Sequence, residues 1–257
     1  MTLQDAFNSR TGPRLDGLAE ADVLHLLESA EIAEIGLHPL GSNYVFMLRL
    51  DAGLPGAVPM LAVYKPQAGE RPLRDFPAGT LYLRERAAYV LSRALGWPSI
   101  PPTALRDGPH GPGSVQLFIH ADADDNFFTL RDEQIDIFEP VAAFDVLAHN
   151  ADRKGGACLR DAAGRLWAID QGLTFNPMAR RRTVMFEFCG QPLGPALVGD
   201  LRALGPKLRD GEPLHKELSS LLSRSEVDAL RDRLERIVEE PVFPVLDEYR
   251  NVPWPLL

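Results

Sequence analysis

Cysteine is nearly absent: Cys158 and Cys189 are the two in 257 residues. Their spacing matches no zinc-ligand pattern, which argues against a disulfide scaffold and a cysteine-based zinc site and implies reduced thiols in a cytoplasmic setting. Positive charge is also in short supply. Lys and Arg number 27 against 36 Asp and Glu, for a formal charge of −9 and a pI near 5.2. General nucleic-acid binding needs clustered cations, so this balance argues against it. It argues against docking on anionic lipid by charge alone, and leaves only a local patch for that purpose. No apolar run reaches the ~18 residues that cross a bilayer, so no transmembrane segment is expected. The opening MTLQDAFNSRTGPRLDG has no apolar core and does not read as a secretory signal. Internal repeats and low-complexity tracts are missing as well. What is present is an ordinary globular composition, 45% hydrophobic and 25% charged, long enough for one large core or for two lobes sharing a cleft.

Apolar residues at helical spacing predict a lead-in helix over 16–34, carried by Leu18, Val23, Leu24, Leu26, Leu27 and Ile32. NYVFMLRL and MLAVYKP read as short strands separated by a Gly/Pro turn. A helix over 79–98 has Leu81, Ala88, Leu91 and Leu95 as its apolar stripe and is closed by Gly96 and Pro98. GPGSVQLFIHA, 111–121, reads as a buried strand, and DADDNFFTL, 122–130, as an acidic loop and lobe boundary. From 132 onward the pattern turns helical, interrupted by a hairpin at 157–169. A long helix over 223–241 opens on a cap at Ser223 or Ser225, and the proline-rich tail is expected to pack across the surface. The expectation is an α+β protein of two lobes, a β-rich N-terminal lobe over 1–121 and a mainly helical lobe over 122–257.

Within that frame the charged residues fall into an order. Lys65 ends an apolar strand, where a lysine either reaches solvent or aims at phosphates in a cleft. Glu85 lies in the following helix, facing either water or that lysine. HPLGSNYVF offers Gly41, Ser42 and Asn43 as a turn whose backbone N–H groups would cover an anion, although it is neither G-x-G-x-x-G nor a Walker loop. HNADRKGG places Asp152 and Lys154 on a polar loop, and RLWAIDQG delivers Asp170 from a buried strand into a glycine turn. Phosphoryl transfer asks for these parts: a positioned hydroxyl, a cation on the moving phosphate and a carboxylate on a metal. His149 reads as a hydrogen-bonding support of the loop, and Arg180, Arg181 and Arg182 as a solvated turn or an anion contact.

GSNYVF, AVYKP, ERAAYVLS, GPGSVQLF, NADRKGG and IDQGLTF together resemble a bacterial, actinobacterial-type branch of the phosphatidylinositol 3-/4-kinase-like family, over most of the chain from about residue 30. The resemblance implies a two-lobed kinase fold with ATP and Mg²⁺ in the cleft. It implies Lys65 on the ATP phosphates, Glu85 as its helix partner, and Gly41, Ser42 and Asn43 as the phosphate loop. Asp152 would be the catalytic-loop aspartate, Asp170 the metal ligand, and Gln116, Leu117, Phe118 and Ile119 the approach to the adenine hinge. Lys154 stands where lipid kinases usually have His and protein kinases Lys. One position departs: the kinase pattern has a metal-binding Asn five residues after the catalytic Asp, and this chain has Ala157. The expected activity is ATP- and Mg²⁺-dependent transfer of the γ-phosphate to an unidentified hydroxyl acceptor, lipid, protein or small molecule. A nucleotide-binding pseudokinase and an AMP-transferring enzyme on the same fold stay open as alternatives.

Overall fold

The computed structural model describes residues 3, 18–38, 43–51, 60–122 and 124–257. Among them, a five-stranded antiparallel sheet runs in the order β1-β2-β3-β5-β4, with β1 Glu31–Leu37, β2 Phe46–Asp51, β3 Met60–Pro66, β4 Thr103–Gly108 and β5 Gly111–Leu117. Helix α1, Glu20–Ser29, packs Val23 and Leu27 against Leu48, Leu50, Ala62 and Val115 of this sheet. The lead-in helix is therefore shorter than its apolar spacing predicted. From Glu31 the residues alternate exposed and half-buried, so Ile32 lies in an edge strand with Ile35 and Leu37 showing to solvent. Period two took over from period 3.6 within four residues, too short a window to separate by pattern alone. Strand β4 was not expected either; it pairs with β5 through the Gly108–Gly111 turn.

Helix α2, Leu81–Leu95, stops where glycine allows it, at Gly96 with φ 89°, whose N–H donates to Ser92 O at 2.8 Å. Its Ala87, Ala88, Leu91 and Leu95 join the core of the helical part, so α2 is clamped between the sheet and the helices beyond it. That part contains α3 Phe127–Gln134, α4 Glu139–Leu147, the hairpin β6 Cys158–Arg160 and β7 Leu166–Ala168, α5 Pro195–Leu204, α6 Pro213–Leu221 and α7 Arg224–Glu239. The acidic link is loop only as far as Asn126, whose side chain caps α3 by accepting from Phe128 N at 2.9 Å. Ser223 caps α7, its N–H donating to Glu226 Oε2 at 2.9 Å.

Two features tie α2 to the helical lobe. Arg84, 1% exposed, pairs with Glu226 of α7 at 2.6 Å and donates to Thr174 O at 2.8 Å. Ala168 N donates to Ser99 O at 2.8 Å, so β7 is anchored to the segment leaving α2. The tail packs as expected: Phe243 is buried, and Gly155 N donates to Leu256 O at 2.8 Å. The chain has an α+β architecture of two lobes, one built on the five-stranded sheet and one mainly helical. No helix among the described residues is long and apolar enough to cross a membrane.

Candidate active site

Strand β3 alternates its side chains, and this alternation puts the half-buried Lys65 on the face toward α2 while Tyr64 and Pro66 are buried. The ammonium of Lys65 meets Glu85 Oε1 of α2 at 2.5 Å and Asp170 Oδ1 at 2.7 Å. Glu85 is 3% exposed, and its second oxygen accepts from Gln171 N at 3.0 Å. It thus fixes both the lysine and the backbone just after Asp170. The Asp170 side chain is 66% exposed and opens toward solvent. Burial alone would depress the Lys65 ammonium, but Asp170 and Glu85 outweigh it and hold its pKa above the usual lysine value. The Lys65 charge depresses Asp170 against the opposing effect of desolvation. Asp170 remains a carboxylate throughout the neutral range.

Asp152 sits on the loop after α4. Its N–H donates to Asn150 Oδ1 at 2.9 Å, and its carboxylate faces Arg182 Nε at 3.4 Å and Lys154 Nζ at 3.8 Å. Lys154 therefore lies beside Asp152 and brings its charge to the same spot. Asn43 Oδ1 accepts from Arg71 N at 3.0 Å, and Tyr44 N donates to Gly69 O at 3.1 Å. Gly41 and Ser42 lie outside the described residues. At the far end of the sheet, Gln116 Nε2 donates to Thr103 Oγ1, Leu117 N to Pro102 O and Phe118 N to Leu61 O. The first backbone beyond these bonds is that of Ile119.

The residue that binds the two halves of the site together was not singled out from the sequence. Arg153 is fully buried and forms a two-pronged pair with Asp145 of α4, Nε to Oδ2 at 2.7 Å and Nη2 to Oδ1 at 2.9 Å. It also donates to Ala157 O, Ile169 O and Gln171 Oε1 at 3.2, 2.9 and 3.2 Å. One guanidinium thus joins the Asp152 loop to the Asp170 turn. Its signal was Asp145 itself, an acid in the apolar run EPVAAFDVLAHN, because a carboxylate buried in such a run demands a cation.

Among the described residues, the non-glycine positions with left-handed backbone are His149, Asp170 and Phe175, at φ 51°, 57° and 67°. All lie in these two loops. Left-handed Phe carries a steric cost on the order of 1–2 kcal/mol, offset here by full burial and a bond from Phe175 N to Ala148 O at 2.6 Å. Such conformations persist where the surroundings over-determine them, as at functional loops.

Among the described residues no cluster of three or more His, Cys, Asp or Glu is arranged to hold a metal. Ala157 is buried and offers no ligand, Asn150 spends its side chain on Asp152 N and Asp145, and Gln171 on Arg153. Burial pushes the Cys158 thiol up to about 12, leaving a neutral, inert sulfur. Asp170 is left as the hard oxygen donor turned into the opening beside Lys65. That set fits Mg²⁺, which takes one or two carboxylates and completes its shell with phosphate oxygens and water.

No protein-family model matches the chain. Solved structures similar in fold include the Golgi casein kinase with Mn and ADP bound, at TM-score 0.55 and 14% identity, covering 86% of this chain and 74% of that one. The hydra Fam20 structure with sugar gives TM-score 0.55 and 15% identity over 93% and 95% of the two chains. The Helicobacter pylori proinflammatory kinase CtkA gives 0.51 and 12% over 84% and 94%. In sequence the chain is 33% identical over 265 aligned positions to Protein Rv2133c of Mycobacterium tuberculosis strain H37Rv, covering 90% of this chain and 94% of that protein. The chain belongs to the family of Protein Rv2133c.

Proposed function

We propose that this chain is a phosphotransferase that moves the γ-phosphoryl group of ATP to a hydroxyl acceptor, with Mg²⁺ as its metal. The observation that carries the reading is the convergence of Glu85 and Asp170 on one ammonium, that of Lys65. A buried Glu that fixes a lysine beside an exposed carboxylate is an arrangement for holding a triphosphate and its cation. In this reading Lys65 neutralises phosphate charge and Glu85 keeps it aimed. Asp170 holds the metal, which supplies charge neutralisation on the phosphate oxygens. Asn43, with Gly41 and Ser42 before it, covers the phosphates, and the backbone from Gln116 through Leu117 and Phe118 to Ile119 leads to the adenine.

Asp152 accepts a hydrogen bond from the acceptor hydroxyl and takes its proton as the acceptor oxygen bonds to phosphorus. The bond from phosphorus to the ADP oxygen breaks, and ADP leaves with those electrons. Lys154 and Arg182, both beside Asp152, offset the charge gathering there. Arg180, exposed next to them, meets an anionic acceptor. Within kinase-like proteins we place the chain in the bacterial phosphatidylinositol 3-/4-kinase-like branch, acting in the cytoplasm. The fold likeness to a kinase bound to Mn and ADP supports nucleotide and divalent-cation use.

Ala157 favours a second reading, in which the chain binds nucleotide without turning it over. ATP labelled separately at the α and γ phosphates, incubated with Mg²⁺ and the protein, separates the readings. Release or transfer of γ label that disappears in Asp170→Asn supports the proposal. Transfer of α label would make the enzyme an AMP transferase, and a Mg·ATP-dependent melting shift without transfer of either label would make it a pseudokinase.

A further inference from the structure

The face of the sheet that carries Lys65 is covered unevenly. Helix α2 packs on β4 and β5, and the half of this face built by β1, β2 and β3 has a different occupant. Strand β3 alternates, so Leu61 and Val63 point the same way as Lys65. Met47 pairs with Val63 and Gly36 with Met47, which extends the row to the edge strand, because residues directly opposite share a face. At the other end Phe118 N bonds Leu61 O at 3.0 Å. Leu3, 8% exposed, forms a cluster on this surface with Met47 and Leu61, both more deeply buried, and the half-buried Val63 and Phe118 pack against it.

The N–H of Leu3 donates to Glu34 Oε1 at 3.4 Å, a long bond to a carboxylate whose other oxygen takes Arg49 Nε at 3.1 Å. A methyl group on Gly36 would stand 3.0 Å from Leu3 Cδ2, too near for ordinary packing, so the bare backbone of Gly36 is what admits the leucine. A nucleotide with its phosphates at Lys65 and its base at the backbone of 117–119 must lay the base between those points. On β3 that interval is Val63 and Leu61, two and four residues from Lys65, or about 7 and 13 Å at the rise of a strand. The surface there is apolar, as the face of a purine requires. Leu3 fills the same slot.

We propose that Leu3 is an autoinhibitory contact: its side chain takes the place of the nucleotide base, and the two exclude each other. The inference rests on reading the Lys65 cleft as a nucleotide site, and adds that the chain carries its own competitor for that site. Phosphates reach Lys65 without disturbing Leu3, so the leucine rejects the base and not the triphosphate. A tethered competitor lowers apparent affinity by the fraction of molecules whose slot is free. Burial of one leucine side chain is enough to hold that fraction to about a tenth or less.

The test titrates the full chain, by calorimetry, with a non-hydrolysable ATP analogue and Mg²⁺, and separately with tripolyphosphate and Mg²⁺, which brings no base. Leu3→Asp sets a carboxylate in the apolar slot beside Glu34 and should expel the residue, so the analogue should bind about tenfold more tightly or better. Leu3→Ala should move the same way by less, and Leu3→Met should match the parent. Tripolyphosphate should bind all of them alike. In a Cys189→Ser background, with Cys158 buried, the thiol of Leu3→Cys should react with a maleimide at least tenfold faster once the analogue is present. Equal or weaker binding of the analogue in Leu3→Asp, an equal gain for tripolyphosphate, or labelling indifferent to the analogue overturns the proposal. If Leu3→Asp fails to fold, Leu3→Ala and the labelling decide. Tighter binding in the variants with no γ-phosphate transfer supports the autoinhibitory contact and overturns the transferase reading. Transfer with unchanged affinity overturns the autoinhibitory contact alone, and no binding of the analogue by parent or variants overturns both.

Discussion

Lys65 and Asp170, 105 positions apart, meet at 2.7 Å on the open side of an ammonium whose closed side is held by Glu85 at 2.5 Å. The two carboxylates differ in burial, with side chains 66% and 4% exposed. An exposed ion pair contributes ~0–1 kcal/mol, whereas removing one partner of a buried pair costs about 3–5 kcal/mol. Asp170→Asn should therefore melt within about 2 °C of the parent and lose the Mg²⁺-dependent part of ATP binding. Glu85→Ala should melt well below the parent even without nucleotide. Thermal scans with and without Mg·ATP separate these outcomes, and equal destabilisation by both would contradict the assigned division of labour.

Arg153 and Asp145 form the buried knot beneath the site. Arg153→Met leaves a carboxylate uncompensated in the core and should cost about 3–5 kcal/mol, a large share of a typical stability. The double variant Arg153→Met/Asp145→Leu removes both charges and should recover part of that loss, although the bonds to Ala157 O and Ile169 O stay broken. Urea denaturation of the two singles and the double gives the coupling directly. A double variant no more stable than Arg153→Met would show that the loop bonds, and not the buried charge, dominate.

Asp170 is the exposed carboxylate at the Lys65 ammonium, and the position of the usual second ligand is Ala157. A titration with Mn²⁺ in the presence of a non-hydrolysable ATP analogue, followed by electron paramagnetic resonance, should reach one bound ion per chain. Asp170→Asn should bring this to none. Two tight ions would require a ligand that the arrangement around Ala157 does not provide.

Much of the lobe order was legible, because long amphipathic helices and apolar strands carry strong periodic signals. Helix α2 read correctly from its stripe to its Gly96 stop, and so did the hairpin of β6 and β7. Shorter signals failed for a physical reason. Strand β1 follows a helix after one residue, and the six residues of β4 contain a charged, half-exposed RDG end. Lys65, Glu85 and Asp170 could be proposed because each broke its local pattern. Arg153 could not, since in ADRKGG it looks like any solvated turn residue, and only the three-dimensional path of α4 brings Asp145 to it. Arg233, whose Nη2 is buried without a partner among the described residues, was equally invisible, because a charge on a helix gives no sign of which partner it lacks.

His149 reports the same region through pH. Burial comes first, then the charges of Arg233, Arg181 and Arg236, and together they lower its pKa to about 4 against the opposing bond to Ala179 O. In the unfolded chain a histidine titrates near 6.5. The folded pKa is the lower one, so between these values the unfolded chain takes up a proton that the folded chain refuses. The stabilising contribution is thus complete above about pH 6.5 and is lost as pH falls toward 4, amounting to about 2 kcal/mol near pH 4.5. His149→Asn tolerates the left-handed φ of 51° and cannot titrate. Carboxylates also protonate in this range, so the quantity to measure is the difference between variant and parent in urea stability from pH 7.5 to 4.5. That difference should move in favour of the variant by about 2 kcal/mol as pH falls. A constant difference across the range would mean that His149 titrates alike in both states, and that the three arginines do not press upon it.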